Sequence, residues 1–339
     1  MTRWIGNRIR RCIGAAARQG SGVKKAFVLG AGLGTRLKSL TEFLPKPLIP
    51  VYQRPLISFA FDHLQRAGIE EFVVNTHHRA EAYLEHFPDS SYNGAPITFR
   101  HEPVLLETGG GIDNVADLLE GGTFVVYNGD ILTDLPLAEA FERHRASGKL
   151  VTLVLRSDGP ALHIALDRET GSVLDIRNKL GTGHEGEFQF TGIYICEPGF
   201  LTCLKHGEKH SVIPVFLDLI RDGGRLGGVV VDGGNWWDLG CRETYIDAHL
   251  AIAGTDFPIY DRSGVPGWKV ASHASADISA SASVNAGSCV GAGAKVGEGA
   301  ELKGTLVWSG GEVAAGAKLD HCIVRSGQVA AGCLEYENI

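Results

Sequence analysis

The sequence lacks the features of a membrane-spanning, disulfide-rich or nucleic-acid-binding protein. Within its 339 residues, no apolar run reaches the ~18 residues that a membrane-spanning helix needs. The seven cysteines form no Cys-x-x-Cys pair, and their odd number favours scattered reduced thiols in a cytoplasmic protein over disulfides or a zinc site. A formal net charge of -7 argues against a dedicated nucleic-acid binder. It does not argue against a phosphorylated small molecule, which a few local cations can bind.

The start of the chain also lacks acidic side chains. Residues 1–23 carry five arginines and no Asp or Glu. They contain no apolar segment of ~7–15 residues, so the pattern is not that of a secretory signal. We interpret residues 1–23 as a basic, loosely ordered extension. Contact of this arm with a membrane surface or a nucleic acid is the alternative.

Residues 24–254 alternate between short apolar runs, typical of strands buried on both faces, and amphipathic segments, typical of helices. The predicted strands are Ala26–Leu29, Glu71–Asn75, Ile97–Arg100, Thr123–Tyr127 and Leu150–Leu155, and the predicted helices are Pro55–Gly68, Arg79–Phe87, Ile112–Leu119 and Leu137–Arg145. This alternation predicts an α/β domain with a Rossmann-like, mostly parallel sheet and helices on both faces. Ligands of such sheets bind beyond the carboxyl ends of the strands, so the loops after Leu29, Asn75 and Tyr127 are candidate sites.

A repeat of six residues appears in the last part of the chain, where Gly, Ala and Ser dominate. Ile278, Val284, Val290, Val296 and Leu302 lie six residues apart, and Val307, Val313 and Leu319 resume the step after one slip. A hexapeptide repeat is typical of a parallel β-helix, in which each side of a coil buries one aliphatic side chain. We therefore predict a short β-helix domain over residues 264–339. A disordered Ala/Gly/Ser tail would leave the spacing of the aliphatic residues unexplained.

The glycine loop after the first strand matches neither Gly-x-Gly-x-x-Gly nor Gly-x-x-x-x-Gly-Lys-Ser/Thr. It reads Gly-Ala-Gly-Leu-Gly-Thr-Arg over residues 30–36, and Pro-Lys-Pro follows at 45–47. Alternate glycines let backbone amides approach anionic oxygens closely, and Arg36 and Lys46 bring two cations to the same place. Together these features predict a phosphate-binding loop.

This loop and three further segments resemble the sugar-1-phosphate nucleotidyltransferases, also called nucleotide-sugar pyrophosphorylases. The segments are Leu-Glu-Thr-Gly-Gly-Gly-Ile at 106–112, Asn-Gly-Asp at 128–130 and Trp-Asp-Leu-Gly at 237–240. The resemblance runs from about Lys25 to Leu250, and is greatest to mannose-1-phosphate guanylyltransferases and muramate-type uridylyltransferases. One branch of the family carries a left-handed β-helix after the catalytic domain, so the resemblance implies that hand for the hexapeptide region.

The resemblance implies a role for each residue that matches the family's motifs. Asp130 and Asp238 would bind Mg²⁺, and Arg36, Lys46 and Asp130 would be catalytic. The nucleotide would be bound by Leu29, Gly30, Ala31, Gly32, Gly34, Thr35, Glu107, Thr108 and Gly109, and the sugar phosphate by Asn128, Gly129, Lys179, Thr191 and Gly192. Nucleotidyl transfer from a nucleoside triphosphate to a sugar 1-phosphate needs positioning and charge neutralisation rather than a protein nucleophile, which suits these residue types.

The substrates are less determined than the reaction. The family often has Glu-Lys-Pro where this chain has Asn-Lys-Leu at 178–180. We favour GTP with mannose 1-phosphate, and the alternatives are UTP with an N-acetylhexosamine or muramate 1-phosphate, or a non-catalytic regulatory paralogue that binds nucleotide sugars. For the β-helix, an assembly or regulatory role is favoured over an acyltransferase activity using His273 or His321. We expect a homo-oligomer through the segment after Gly264, and we interpret His77 and His78 as ordinary loop histidines.

Overall fold

The computed structural model describes residues 22–32, 34–253, 257 and 270–339. The basic extension predicted at 1–23 therefore lies outside the described residues, apart from its last two. Of these two, Val23 is 2% exposed and packs in the core beside the central sheet. The core of the α/β domain thus includes the last residue that we assigned to the extension.

The α/β domain contains fourteen strands among the described residues. They are β1 (Lys25–Leu29), β2 (Pro50–Val51), β3 (Arg54–Pro55), β4 (Glu71–Thr76), β5 (Ser91–Tyr92), β6 (Ala95–His101), β7 (Phe124–Asn128), β8 (Ile131–Thr133), β9 (Val151–Arg156), β10 (Leu162–Leu166), β11 (Val173–Ile176), β12 (Phe188–Cys196), β13 (Leu226–Val230) and β14 (Trp236–Asp238). Ten of them form the main sheet, while β2 pairs with β3 and β14 pairs with β8. The small β8–β14 pair matters for the site described below.

The centre of the main sheet is parallel, as predicted. Strands β7, β1, β4 and β6 are neighbours in that order and run in the same direction. Strand β12 lies antiparallel to β7 and to β9, and β9 pairs in parallel with β13. The Rossmann-like α/β fold is therefore confirmed, with an antiparallel β12 that the sequence patterns did not predict. Because β7, β1, β4 and β6 are parallel, their carboxyl ends share one edge of the sheet.

Seven α-helices and three 3₁₀ helices accompany the strands in the described part of the chain. The α-helices are α1 (Leu56–Arg66), α2 (Glu81–His86), α3 (Glu107–Asp113), α4 (Ala116–Leu119), α5 (Leu137–Ser147), α6 (Val212–Arg221) and α7 (Arg242–Ala253), and the 3₁₀ helices are Thr35–Thr41, Lys46–Leu48 and Pro198–Cys203. None of the helices in these ranges has the length and apolarity that crossing a membrane requires. The helix predicted at Ile112–Leu119 is two helices, the first of which begins at Glu107.

Two apolar clusters cover the two faces of the main sheet. In β1 the side chains of Ala26 and Val28 belong to one cluster and that of Phe27 to the other, as expected where successive side chains point to opposite faces. Helix α1 lies against the first face, contributing residues such as Ile57, whereas α6 lies against the second. Burial on both faces explains why the central strands read as continuous apolar runs.

The hexapeptide region forms the predicted parallel β-helix. Its strands are β15 (Asp277–Ile278), β16 (Ser283–Val284), β17 (Cys289–Val290), β18 (Lys295–Val296), β19 (Glu301–Lys303), β20 (Leu306–Val307), β21 (Glu312–Val313), β22 (Lys318–Asp320), β23 (Ile323–Val324), β24 (Val329–Ala330) and β25 (Cys333–Glu335). Each strand pairs in parallel with the third strand along the chain, which gives three parallel sheets to which successive strands contribute in turn. Ile278, Val296 and Val313 therefore lie above one another in the β-helix core.

One face of the β-helix packs against the α/β domain. In β17, β20 and β23 both residues are buried, whereas β18 buries only Val296. One residue of each of these pairs points into the β-helix, and the other contacts the α/β domain. The resulting shared apolar cluster contains Leu37, Leu40, Ile49, Val51, Tyr52, Leu56, Phe59, Tyr245, Ile246, Cys289, Leu306, Trp308 and Ile323. The β-helix is thus joined to the rest of the chain by a common core.

Candidate active site

The glycine loop begins at the carboxyl end of β1 and is fixed by Asn75 on β4. The amides of Gly30 and Ala31 donate to Asn75 Oδ1 at 2.8 and 3.3 Å, and the amide of Gly32 donates to the Gly30 carbonyl. A Cβ on Gly30 would lie 2.5 Å from the Asn75 carbonyl oxygen, so only glycine fits there. These three amides are used inside the protein, which corrects the expectation that they point at anionic oxygens. Amides that contact phosphate oxygens are therefore expected only in the part of the loop after Gly32.

Asn75 also connects the glycine loop to the segment at 106–112. Its Nδ2 donates to Glu102 Oε1 at 2.7 Å, and Glu102 Oε2 accepts from the Leu106 amide at 2.9 Å. The side chains of Asn75 and Glu102 are fully buried, and a buried carboxylate is tolerated only when donors satisfy it. Sequence reasoning noted the position of Asn75 but missed Glu102. The available signal was that Glu102 directly follows β6, the next parallel strand of the sheet.

Lys46 lies between the two aspartates that were predicted to bind a metal. Its Nζ is 2.6 Å from Asp130 Oδ2 and 3.8 Å from Asp238 Oδ1, and its side chain is only 7% exposed. Asp130 follows β7, and Asp238 ends β14, which pairs antiparallel with β8. The Leu239 amide donates to the Asp130 carbonyl, which holds the two carboxylate-bearing segments together. The structure therefore brings these three residues into one place, as the sequence predicted.

Gly129 makes the tight turn before Asp130 possible. Its amide donates to the Leu29 carbonyl at the end of β1. A Cβ at this position would lie 2.4 Å from the Leu29 carbonyl oxygen, so any other residue would push β7 away from β1. The Asn-Gly-Asp segment thus places Asp130 immediately beside the start of the glycine loop.

The environment of Asp238 disfavours its ionised form. Burial raises the pKa of Asp238, and the negative charge of Asp130 raises it further, while Lys46 and Arg36 oppose the shift. Asp238 Oδ1 is buried and has no hydrogen-bond partner among the residues that the structure describes. Two close carboxylates with one unsatisfied oxygen form a set of hard ligands to which a divalent cation fits. The residues present therefore match the Mg²⁺ site that the family resemblance implies.

Arg36 reaches the same region from the 3₁₀ helix Thr35–Thr41. Its guanidinium packs over Gly240, where a Cβ would lie 2.7 Å from both Nη1 and Nη2. No hydrogen-bond acceptor for this guanidinium occurs within ranges 22–32, 34–253, 257 and 270–339. Its five donors are thus open to a ligand, and glycine at 240 is needed to leave the guanidinium its space.

Two clefts adjoin these charged residues. The first, of about 200 Å³, is lined by Leu29, Ala31, Gly32, Lys46, Pro47, Asn75, Leu105, Glu107, Thr108, Asn128, Gly129 and Asp130. The second, of about 300 Å³, is lined by Arg36, Arg156, Asp158, Gly159, Pro160, Trp236, Trp237, Asp238, Gly240, Cys241, Thr244 and Asp247. The clefts are neighbours because Lys46 in the first lies 3.8 Å from Asp238 in the second. Sequence reasoning did not predict the second cleft's Arg156, Asp158 or Trp236.

The segment at 106–112 forms the N-cap and nearly all of α3, and hydrogen bonds connect it to the loop before α6 and to the first residue of α6. The Gly109 and Gly110 amides donate to the His210 carbonyl, and Thr108 Oγ1 accepts from the Val212 amide at 2.9 Å. The backbone of Gly109 was predicted to contact the nucleotide, and its amide has a partner within the protein, so a contact through this amide is not expected. These contacts also explain why the helix begins before three glycines that favour no helix by themselves.

Glu107 is the side chain of this segment that is best placed for a ligand. It lines the first cleft, and its carboxylate lies 3.8 Å from Lys209 Nζ. Its backbone has a φ of 63°, a left-handed conformation that costs energy for a residue other than glycine. Loop 205–211, which carries Lys209, was not identified from the sequence.

The predicted sugar-phosphate residues divide into two groups. Asn128 and Gly129 line the first cleft, and Gly192, at φ 83°, leaves room for Asn128, whose Nδ2 would lie 2.7 Å from a Cβ there. Thr191 is buried, and its hydroxyl donates to the Val154 carbonyl while its own carbonyl accepts from Trp236 Nε1. A direct contact of the Thr191 side chain with a ligand is therefore not expected.

Lys179, which was predicted to bind the sugar phosphate, belongs to a turn that is fixed by local hydrogen bonds. It lies in the turn after β11, where Arg177 and Asn178 both have positive φ. In the same turn, Asp175 Oδ1 accepts a hydrogen bond from the Leu180 amide. Lys179 lines neither of the two clefts formed by the described residues. The turn is fixed by its own hydrogen bonds, which a pattern of residue types does not reveal.

The histidines after β4 make local contacts, in agreement with their interpretation as loop residues. The His77 ring contacts the Glu102 carbonyl, and the His78 ring contacts the carbonyls of Thr41 and Glu42. No cluster of three or more His, Cys, Asp or Glu residues able to hold a metal occurs within the described ranges. The cation site suggested above thus consists of two carboxylates, which leaves other coordination positions for water and phosphate oxygens.

Comparison with known proteins identifies the class to which this site belongs. The profile of the nucleotidyl transferase family matches residues 25–255. The chain therefore belongs to the nucleotidyl transferase family, and the resemblance given above is confirmed at that level.

Two of the similar proteins carry names that state a nucleotide and a sugar phosphate. A mannose-1-phosphate guanylyltransferase of Mycobacterium tuberculosis is 32% identical over 224 residues, which are 65% of this chain and 62% of the relative. An N-acetylmuramate alpha-1-phosphate uridylyltransferase of Neisseria meningitidis is 32% identical over 222 residues, which are 64% of this chain and 94% of the relative. The chain thus spans less than two thirds of the length of the first of these relatives.

A solved structure supports the fold. HddC from Yersinia pseudotuberculosis superimposes with a TM-score of 0.55 and 23% identity, covering 67% of this chain and 98% of that one. At this identity the likeness shows a common α/β fold and carries no conclusion about substrates.

Proposed function

We propose that the chain transfers a nucleoside monophosphate from a nucleoside triphosphate to a sugar 1-phosphate and releases pyrophosphate. The observation that carries this proposal is the position of Lys46, buried between Asp130 and Asp238 where two clefts meet. A reaction between two phosphorylated substrates requires such a cluster at the boundary of their binding sites. Membership of the nucleotidyl transferase family supports the same reaction class.

The chemistry needs no covalent enzyme intermediate. An anionic phosphate oxygen of the sugar 1-phosphate attacks the α-phosphorus, a new P–O bond forms, and the bond to pyrophosphate breaks with its electron pair on the leaving oxygen. The Lys46 ammonium acts as a point charge on the phosphate oxygens, while the planar Arg36 guanidinium binds two oxygens of the leaving group. A divalent cation such as Mg²⁺, held by Asp130 and Asp238, would neutralise further negative charge on the phosphates.

The two clefts suit the two substrates. We assign the nucleotide to the first cleft, where Glu107, Thr108 and the glycine loop meet. We assign the sugar to the part of the second cleft lined by Trp236, Trp237 and Asp158, because their aromatic faces and carboxylate suit the apolar face and hydroxyls of a sugar. The part of the same cleft lined by Arg36 and Asp238 is left for the leaving pyrophosphate. This assignment replaces Lys179 with residues that line a cleft.

We favour GTP with mannose 1-phosphate as substrates. Guanine offers two adjacent donors, N1–H and the N2 amino group, which a carboxylate such as Glu107 can accept together, whereas uracil offers a single N3–H between two carbonyls. The mannose-1-phosphate guanylyltransferase among the relatives supports the same choice. The second candidate pair is UTP with an N-acetylhexosamine or muramate 1-phosphate, which the uridylyltransferase relative favours.

The test is a matrix of ATP, CTP, GTP and UTP against a panel of sugar 1-phosphates, read by pyrophosphate release with and without Mg²⁺. We expect the highest kcat/KM for GTP with mannose 1-phosphate, and no release without Mg²⁺. A UTP pair that is better by ~10²-fold would overturn the guanylyl assignment. If no pair reacts while nucleotide sugars bind, the chain is a regulatory paralogue and the proposed transfer is wrong.

A further inference from the structure

The 3₁₀ helix that carries Arg36 is an unusual support for a phosphate-binding side chain. It spans Thr35–Thr41, seven residues, whereas 3₁₀ runs longer than about 3–4 residues are uncommon because their hydrogen bonds are poorly aligned. Its start is closed by the Leu37 amide and the Thr41 hydroxyl, both of which donate to the Gly34 carbonyl. The remaining support comes from tertiary contacts, which at the end of this helix are with His78 of the α/β domain and with Arg325 of the β-helix.

Arg325, which directly follows β23 of the β-helix, is hydrogen-bonded to this 3₁₀ helix. Its Nη1 donates to the Ser39 carbonyl at 3.1 Å and lies 3.6 Å from Glu42 Oε2. Its Nε donates to the backbone oxygen of Ile339 at 3.0 Å, so the guanidinium is held by the β-helix before it reaches the 3₁₀ helix. The Ser39 carbonyl also accepts the Glu42 amide, but at a long 3.4 Å, so the Arg325 guanidinium supplies it with a shorter, charged donor at the end of the 3₁₀ helix, where a cation is favourable.

Apolar contacts act on the same 3₁₀ helix. Leu37 and Leu40 are each 1% exposed and belong to the cluster that contains Trp308 and Ile323 of the β-helix. Leu37 directly follows Arg36 in the chain. The apolar cluster against the buried side of the 3₁₀ helix therefore includes β-helix residues, and Arg325 of the β-helix contacts its last turn.

The segment that packs against the Arg36 guanidinium is also hydrogen-bonded to the β-helix. Arg242 lies two residues after Gly240, and its guanidinium donates to the His321 carbonyl and to Asn338 Oδ1. The Arg36 guanidinium packs on Gly240, as described above. Arg325 thus contacts the 3₁₀ helix that carries Arg36, and Arg242 holds the segment at 240–242, against which the Arg36 guanidinium packs.

We propose that Arg325 is a positioning residue for Arg36, and that the β-helix thereby completes the phosphate-binding site of the α/β domain. Arg325 does not line either cleft, so it acts through the 3₁₀ helix. The proposal rests on the proposed function in one respect, which is that Arg36 binds phosphate oxygens of the nucleotide or of pyrophosphate.

The test compares Arg325→Gln with the control Lys318→Gln. The control breaks an exposed ion pair between Lys318 and Glu301, and both of these residues belong to a different sheet of the β-helix from β23. Arg325→Gln should lower kcat/KM for the nucleoside triphosphate by ~10–10²-fold and change KM for the sugar phosphate by less than ~2-fold. Arg325→Lys keeps the charge near Glu42 and one donor for Ser39, so it should recover part of the loss. Lys318→Gln should behave as the unmodified chain, and equal behaviour of the Arg325→Gln and Lys318→Gln variants would overturn the proposal.

A double-mutant cycle separates positioning from an independent structural effect. If Arg325 acts through Arg36, adding Arg325→Gln to Arg36→Lys should lower kcat/KM by less than ~3-fold more, because the affected contact is already impaired. Effects that multiply in full would show that Arg325 does not work through Arg36. Should Arg325→Gln fail to fold, the same cycle with Arg325→Lys decides the question.

Hydrogen exchange gives a readout that does not depend on activity. The amides of residues 36–42 should exchange faster in Arg325→Gln than in Lys318→Gln, while those of β1 and β7 stay unchanged. Unchanged exchange at 36–42 would overturn the proposal even if activity fell. Absence of pyrophosphate release by the unmodified chain with every substrate pair would instead refute the proposed function, and the exchange result would still stand.

Discussion

Lys46 and Asp130 form an ion pair of 2.6 Å at the boundary between the two clefts. The Lys46 side chain is almost fully buried, and a buried ammonium requires such a partner. One cation serves two carboxylates here, because Asp238 Oδ1 also lies 3.8 Å away. Lys46 therefore holds the aspartates close together before a divalent cation and the phosphates arrive.

Removing the Asp130 charge should abolish most of the activity. Asp130→Asn keeps the size of the side chain but weakens both the ion pair with Lys46 and the cation site, so kcat should fall by at least ~10²-fold. Pyrophosphate release at saturating substrates measures the effect. Asp117→Asn, which breaks an exposed ion pair with Arg100, is the matched control and should be unaffected. Turnover near that of the unmodified chain would remove Asp130 from the mechanism.

Asp238→Asn should reduce activity while stabilising the fold at neutral pH. Burial and Asp130 raise the pKa of Asp238 above its ordinary value of 3.8. A carboxyl with a raised folded pKa costs stability as the pH rises from the unfolded value through the folded value, and the cost persists above it. The substitution removes that cost, so Tm at pH 7 should rise by up to a few degrees, roughly. No such gain is expected at pH 3, where the carboxyl is protonated in both states.

The same variant tests the cation site. Mg²⁺ should raise the Tm of the unmodified chain, because a ligand that binds only the folded state stabilises it, and it should raise that of Asp238→Asn much less. Thermal unfolding with and without Mg²⁺ measures both values. An equal rise in the two proteins would show that Asp238 does not bind the cation.

The sequence predicted the parallel centre of the fold because that part depends on local patterns. The apolar run of β1 and the six-residue spacing of Ile278 to Leu302 are repeated signals, and each element follows its own pattern. Strands β10, β11 and β13 were not predicted. The antiparallel position of β12 beside β7 was not predicted either, because it is a choice of pairing partner rather than a local property. The paired apolar residues such as Leu306 and Val307 were a visible sign of the docked β-helix face that the hexapeptide pattern alone did not explain.

The sequence predicted the charged residues of the candidate site, because they belong to motifs. It did not predict which backbone groups are free to bind a ligand, because that depends on hydrogen bonds within the fold. Lys46, Asp130 and Asp238 lie together as expected. Backbone groups around Gly30 and Gly109 were expected to contact a ligand, yet the amides of these two glycines donate to Asn75 Oδ1 and to the His210 carbonyl. Both partners come from distant parts of the chain, so no sequence spacing could reveal them.

The shared core predicts that the α/β domain depends on the β-helix for stability. Leu306 is 2% exposed and contacts the cluster between the two parts, so Leu306→Ala should lower the free energy of unfolding by about 2–5 kcal/mol. Val329→Ala, on an exposed position of the same β-helix, should cost far less. Chemical denaturation of both variants measures the difference. Equal small losses would mean that the β-helix and the α/β domain are independent.

Arg36→Lys should impair the reaction although it conserves the charge. The Lys ammonium lacks the planar pair of donors that binds two phosphate oxygens, and it would leave the space over Gly240 partly empty. We expect kcat/KM for the nucleoside triphosphate to fall by ~10-fold or more, as measured by initial rates at limiting nucleotide. Arg143→Lys on the exposed face of α5 is the control. Full activity of Arg36→Lys would show that charge alone is sufficient.

Glu107→Gln should change the choice of base. The Glu107 carboxylate lines the first cleft and accepts hydrogen bonds only, which matches the two adjacent donors of guanine. A glutamine side chain offers one donor and one acceptor, which matches uracil N3–H beside a carbonyl. The ratio of kcat/KM for GTP to that for UTP should therefore fall by ~10–10²-fold, because a mismatched polar group that the bound base covers stays unpaired. Lys209→Gln, which removes the cation 3.8 Å from Glu107, distinguishes base contact from support of the loop. If Lys209→Gln changes the ratio as much as Glu107→Gln does, Glu107 acts by holding loop 205–211, and the guanine contact is wrong.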